Sequence, residues 1–140
     1  MPDFTSRRHF LWLLRGLAGA AALTALPRRT SALKRSEHPE PRPEMDGSTV
    51  LTHEQLGDIS PEIIAIYDKV REMPQIADGI FCTCGCSLLP NHYSLLTCYE
   101  ENGMARGCLI CQGTANQAYR RWKEGQSLDR IRRALDARYG

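Results

Sequence analysis

From about residue 50 onward, apolar residues recur at the three- and four-residue intervals that are typical of amphipathic helices. Ser60-Pro61-Glu62 has the residue types of a helix start, and the pattern that follows predicts a helix ending just before Pro74. The same reasoning predicts three more helices, over residues 91–101, 108–124 and 127–140. Residues 75–90 are expected to be irregular, and no stretch alternates as a strand would. We therefore predict a small all-α domain of about four helices around an irregular cysteine-rich loop.

An apolar run near the N-terminus, residues 11–26, follows a pair of arginines. The segment Ser6-Arg7-Arg8-His9-Phe10-Leu11 resembles the twin-arginine export signal. The run is shorter than the roughly 20 residues of a transmembrane helix, and small residues at 30–32 offer a cleavage site. We expect a twin-arginine signal peptide over residues 1–32, and the twin-arginine translocase as a partner. The protein is then exported across the cytoplasmic membrane, to the periplasm or another extracytoplasmic space. No stable membrane span is expected after cleavage, whereas an uncleaved leader would tether the protein.

The segment between the leader and the helices is charged and rich in proline. Residues 34–48 contain three prolines and almost no large apolar side chain, a composition that favours disorder. The predicted organisation is a signal peptide (1–32), a disordered linker (33–52) and a cysteine-rich helical domain (53–140). A domain of that size buries little apolar surface, so we expect a metal or disulfides to stabilise it.

The charge balance argues against nucleic acid as a partner. The whole chain has 18 basic and 16 acidic residues, but without residues 1–32 the balance becomes 13 to 15. The arginines near the C-terminus are explained by the solvated faces of two predicted helices. The sequence also lacks a phosphate-binding glycine loop, a nucleophile elbow and a paired His-Glu metalloprotease helix. A binding protein is therefore favoured over an enzyme.

The candidate chemistry lies in the six cysteines, all of which fall between Cys82 and Cys111. Three of them alternate in a Cys-x-Cys-x-Cys segment, where an extended backbone would point the thiols to one side. Cys108 and Cys111 share a face at a predicted helix start, which favours their thiolate forms. One histidine and one cysteine between these segments can complete one site or a pair of sites. The predicted metal ligands are Cys82, Cys84, Cys86, His92, Cys98, Cys108 and Cys111.

Seven donors exceed the four ligands of one tetrahedral zinc ion. Either two metals bind, or some thiols are spectators or form disulfides. Sulfur-rich sites suit zinc or copper(I), which are the metals we expect, and they also suit an iron–sulfur cluster. Covalent haem is not supported, because Gln112 follows the Cys-x-x-Cys pair where histidine is required.

The expected export route helps to choose between a metal site and a disulfide scaffold. An exported domain with an even number of cysteines is often a disulfide scaffold. Twin-arginine substrates, however, cross the membrane folded, and structural disulfides do not form in the reducing cytoplasm. We therefore favour a protein that binds, stores or delivers a metal outside the cytoplasm, with a metal donor or acceptor protein as its partner.

A resemblance to a known family supports a shared cysteine site. Phe81-Cys82-Thr83-Cys84-Gly85-Cys86, then residues 92–98, then Cys108-Leu109-Ile110-Cys111, resembles the bacterial family named for its PCYCGC motif. The resemblance spans residues 74–140 and implies an exported protein with a common cysteine site, but it implies no particular activity. This chain departs from the family where Ile80-Phe81-Cys82-Thr83 replaces the usual opening of the motif, and where the twin-arginine leader replaces a lipid-attachment site.

A second resemblance concerns the C-terminal third. Cys108-Leu109-Ile110-Cys111-Gln112, followed by a helix, a Gly-Gln-Ser turn and residues 137–140, is similar to the thiol oxidoreductase subunit of the cytochrome c maturation system. That resemblance implies that Cys108 and Cys111 form a redox pair, although Gly107 stands where an arginine usually precedes the first cysteine. An extracytoplasmic thiol–disulfide oxidoreductase is therefore the alternative function, beside a disulfide-stapled structural domain.

Overall fold

The computed structural model describes residues 37–140 of the chain. Within that range it contains five α-helices and two short 3₁₀ helices, and no strand. The α-helices are α1 (His53–Leu56), α2 (Pro61–Glu72), α3 (Pro74–Asp78), α4 (Leu109–Lys123) and α5 (Leu128–Tyr139). The 3₁₀ helices are Cys86–Leu88 and Leu96–Tyr99. The all-α prediction is confirmed. The predicted signal peptide and residues 33–36 of the predicted linker lie outside the described residues.

The three longest helices have the boundaries that their sequence signals predict. Helix α2 follows Ser60 as its N-cap and has proline in its first turn, where the missing N–H would have no helical partner. Ser127 is the N-cap of helix α5, which has Asp129 in its first turn. Helix α4 follows Cys108, whose sulfur accepts a hydrogen bond from the N–H of Cys111. These helices pack in order, α2 on α4 and α4 on α5.

Two predictions of local structure are corrected by the structure. Residues 75–90 are not irregular throughout, because Pro74 ends α2 as predicted but also opens the short helix α3 directly after Met73. The predicted helix over 91–101 is reduced to the 3₁₀ turn at Leu96–Tyr99. Asn91 has a φ of 69°, which does not fit a right-handed helix. The Thr97 hydroxyl also bonds the backbone of Ser94 as both donor and acceptor, and such side-chain bonds compete with helical ones.

Residues 37–52 are predicted to be a disordered linker, whereas the structure packs them against the helices. Val50 and Leu51 are buried, and the N–H of Leu51 donates to the carbonyl of Tyr99. Arg132 on α5 donates to the carbonyl of Pro39 at 2.6 Å. A carbonyl, an N–H group and two apolar side chains of this segment make these contacts with distant residues, so composition alone does not reveal them.

The core places aromatic rings next to the cysteine-bearing segments. Tyr67 of α2 and Tyr99 of the second 3₁₀ helix make an edge-to-face contact with ring centroids 4.8 Å apart, a favoured aromatic geometry. The Tyr99 hydroxyl donates to the carbonyl of Cys111 at 2.9 Å, which ties this 3₁₀ helix to the start of α4. None of the helices within residues 37–140 has the length and apolar character of a membrane span.

Candidate metal centre

Three chain segments, from the loop after α3 to the first turn of α4, carry the cysteines. The Cys-x-Cys-x-Cys segment lies in the loop after α3, Cys98 lies in the second 3₁₀ helix, and the Cys-x-x-Cys pair lies at the start of α4. The first segment is a turn, and not the extended backbone that would point its three thiols to one side. Gly85 has a φ of 89°, a conformation that glycine adopts without strain. This turn brings the sulfurs of Cys84 and Cys86 to 2.7 Å from each other.

Four of the cysteines form a buried group, which we call the inner site: Cys82, Cys86, Cys98 and Cys111. Their side chains are at most 1% exposed, and their sulfur atoms all lie within 4.8 Å of one another. A tetrahedral zinc ion with Zn–S bonds of about 2.3 Å needs sulfurs about 3.8 Å apart. The inner site therefore has the ligand number and the approximate size of a tetrathiolate metal site.

The remaining two cysteines, Cys84 and Cys108, form a second group together with Cys111, which also belongs to the inner site. We call this second group the outer site. Cys84 and Cys108 are half-buried. The Cys111 sulfur lies 3.3 Å from the Cys82 sulfur and 3.5 Å from the Cys84 sulfur, so it touches both sites. These distances exceed the roughly 2.0 Å of a disulfide bond.

The thiols of the two sites do not ionise independently. Hydrogen bonds from Cys111 and Cys98 lower the pKa of Cys82 well below that of an ordinary thiol, which favours its thiolate form. The hydrogen bonds of Cys111 to Cys82 and Cys98, together with burial, raise the pKa of Cys111. Burial is also the main reason that the pKa of Cys84 is raised. Without a cation, the cluster therefore concentrates negative charge on few of its sulfurs.

His92 lies apart from both cysteine groups. Within residues 37–140 it belongs to no set of three or more potential ligands whose donor atoms lie within 4.8 Å of one another. Its Nδ1 is 3.4 Å from the carbonyl of Pro90, and the ring lines a surface cleft of about 520 Å³ with Thr49 and Glu100. The structure thus brings together the six cysteines but not His92, whose role as a ligand stays a prediction.

No family model, no curated protein and no solved structure matches this chain. The six clustered cysteines can hold a metal ion. Function is therefore inferred from this geometry and from the properties of thiolate ligands.

Sequence reasoning missed the residues that hold the cysteine segments in place. Asp78, at the end of α3, is fully buried and accepts hydrogen bonds from the Arg42 guanidinium and the Ser94 hydroxyl. The Ser94 carbonyl in turn lies 3.9 Å from the Cys98 sulfur. An aspartate in a short helix has no sequence signal for such a role, because its partners lie 36 residues before it and 16 after it.

Gly103 lies against the backbone of Cys98 with no room for a side chain, and its replacement by alanine should destabilise the fold. A Cβ atom at Gly103 would lie 2.1 Å from the Cys98 carbonyl oxygen and 2.3 Å from its carbon. Because these are backbone atoms, the chain itself must move, and we expect Gly103→Ala to reduce the free energy of unfolding by about 2 kcal/mol or more. Denaturant unfolding measures this. Gly107→Ala is the matched control, since nothing lies within 4 Å of its Cβ, and an equal loss in both variants would contradict the prediction.

Proposed function

We propose that this protein is an exported metal-binding protein that holds a soft metal ion in the inner site of its cysteine cluster, and that the cluster serves metal binding, storage or delivery outside the cytoplasm. The observation that carries the proposal is the convergence of four buried cysteine sulfurs from three chain segments. The resemblance of the leader to a twin-arginine signal supports export.

The chemistry of the inner site favours zinc or copper(I). Both ions bind thiolates strongly, and zinc accepts four sulfur ligands in a closed tetrahedral site. Buried thiols are weak hydrogen-bonding groups that pack as small apolar side chains, so folding does not require them to meet at one point. A bound cation would stabilise several thiolates in a buried space that otherwise disfavours them.

The test is elemental analysis with thiol counting on protein purified from its export compartment without added metal. Cys98→Ser is expected to lose the bound metal, because it removes one of the four inner ligands. His92→Ala serves as the control and should keep the metal content of the wild type, since His92 lies outside both cysteine groups. Wild-type protein that contains no metal, and takes up neither zinc nor copper(I) after reduction, would refute the proposal.

A thiol–disulfide oxidoreductase is the second candidate, favoured by the position of the Cys-x-x-Cys pair. Cys108 is half-exposed at the N-terminus of α4, and Cys111 is buried one turn later. Burial by itself would raise the pKa of Cys108, but hydrogen bonds with Cys111 outweigh it and lower the pKa. An accessible thiol of lowered pKa followed by a buried one is the arrangement of a dithiol that reduces a substrate disulfide while becoming a disulfide itself.

Substitution of both Cys108 and Cys111 distinguishes the oxidoreductase from the metal-binding protein. If the protein is an oxidoreductase, replacing both Cys108 and Cys111 by serine abolishes its reduction of a model disulfide such as oxidised glutathione. If the wild-type protein shows no such activity, the redox candidate is rejected. Four or six oxidised sulfurs without metal and without activity would instead identify a disulfide-stapled domain.

A further inference from the structure

The inner site uses four of the six cysteines, and the other two, Cys84 and Cys108, lie close enough to it to take part in metal binding. Cys84 lies 3.2 Å from Cys82, 2.7 Å from Cys86 and 3.5 Å from Cys111, measured between sulfur atoms. Cys108 belongs with Cys84 and Cys111 to a set of donors within 4.8 Å of one another. The leftover thiols thus lie directly beside the inner site and together, not scattered over the surface.

We propose that a second soft metal ion binds at the outer site, with the Cys111 sulfur bridging it to the ion in the inner site. This rests on the proposed function, because it requires that the inner site bind a metal. Cys111 is the only member shared by the two donor sets of the described chain. A thiolate has enough lone pairs to coordinate two soft ions at once, so six cysteines supply four ligands to one ion and three to the other.

The two ions differ in exchange with the surroundings. The inner site is closed, because its four ligands are buried and equal in number the ligands of a tetrahedral thiolate site. The outer site has three protein ligands, of which Cys84 and Cys108 are half-exposed, and three-ligand sites keep a coordination position open to an incoming ligand. The inner ion is therefore structural, and the outer ion is the one that is loaded and released.

The surface beside the outer site is accessible to an incoming ligand. Leu109 and Ile110, which separate the two cysteines of the pair, are 81% and 43% exposed. Cys108 is the N-cap of α4, and the residues that follow it are exposed to solvent. A thiol of a donor or acceptor protein can therefore reach the outer ion without unfolding the domain. The inner sulfurs have no such access, since each is at most 1% exposed.

The test is a zinc titration of the reduced full-length protein against a chromophoric chelator, with native mass spectrometry to count the bound ions. Wild-type protein should bind two equivalents, whereas Cys84→Ser and Cys108→Ser should each bind one, because each removes an outer ligand only. Both single-zinc variants should keep the melting temperature of the wild-type protein loaded with one equivalent. With two equivalents bound, one should pass rapidly to the chelator and the other slowly.

Cobalt(II) as a spectroscopic substitute tests the bridge. The first equivalent should give the spectrum of an isolated tetrahedral thiolate site, and the second should reduce the paramagnetic resonance signal per ion, because a shared sulfur couples the two spins. Binding of a single equivalent by the wild-type protein would overturn the inference and leave the proposed function intact. Loss of the slowly exchanging ion in Cys84→Ser would also overturn it, because Cys84 would then be an inner ligand. Failure to bind either zinc or copper(I) would instead reject the proposed function.

Discussion

Stripping the metal from the purified protein is expected to lower its free energy of unfolding by at least about 5 kcal/mol, the largest effect we predict. Between α3 and α4 the chain has only the two 3₁₀ helices as regular structure. If the inner site holds a metal as proposed, the bound ion links this region to the start of α4, and its binding energy becomes folding energy because the unfolded chain has no preformed site. For a domain of this size, the melting temperature should fall by about 20 °C or more.

The measurement is thermal unfolding followed by circular dichroism, before and after dialysis against a strong chelator under reducing conditions. Adding the metal back should restore the original transition, which shows that chelator treatment did no other damage. Cys108→Ser provides a matched comparison, since it leaves the inner site complete and should lose far less stability than Cys98→Ser. A protein shown to be metal-free that unfolds at the original temperature would contradict a structural role for the metal.

The second large effect is expected at Asp78. Its carboxylate is fully buried and receives three hydrogen bonds from Arg42, at 2.7, 2.7 and 3.1 Å, and one from Ser94. The carboxylate is buried but the Arg42 side chain is 33% exposed, so removing the charge costs less than breaking a fully buried pair, about 2–3 kcal/mol. We therefore expect Asp78→Asn to lower the melting temperature by more than about 10 °C.

Asp129→Asn is the control for this substitution. Asp129 also pairs with an arginine, Arg132, but its side chain is 73% exposed, and exposed ion pairs contribute about 1 kcal/mol or less. Denaturant unfolding of both variants compares the same chemical change at a buried and an exposed position. Similar losses of stability in the two variants would show that the hydrogen bonds between Asp78 and Arg42 do not anchor residues 37–52 to the helices.

Asp78 also predicts a pH dependence of stability. Burial by itself would raise the pKa of its carboxyl, but the hydrogen bonds from Arg42 and Ser94 outweigh burial and hold the pKa below its usual value. A carboxyl with a lowered folded pKa stabilises the fold above its unfolded pKa of about 3.9. That contribution is lost as the pH falls from there through the folded value. Unfolding between pH 6 and about pH 2 should therefore show a steeper loss in the wild type than in Asp78→Asn.

Local pattern was sufficient for the long helices because their start signals and apolar faces agree. Ser60 and Ser127 precede α2 and α5, and Ile131 and Leu135 are buried on one face of α5, as the spacing predicts. It was insufficient where contacts distant in sequence decide the conformation. Residues 37–52 have the composition of a disordered chain, yet Arg42 pairs with Asp78 and the N–H of Leu51 donates a hydrogen bond to the carbonyl of Tyr99.

The helical class of this protein and the kind of ligands in its candidate site can be inferred from the amino-acid sequence. Both follow from short-range properties, namely helical periodicity and the grouping of thiols in one segment of the chain. The folded chain was needed to establish which cysteines share a site, that Cys111 belongs to both sites, and that His92 lies apart from them. Those relations depend on the turn at Gly85, the left-handed conformation of Asn91 and the packing of the second 3₁₀ helix on α4. Distances between residues far apart in the chain arise from such packing, and no spacing along the sequence specifies them.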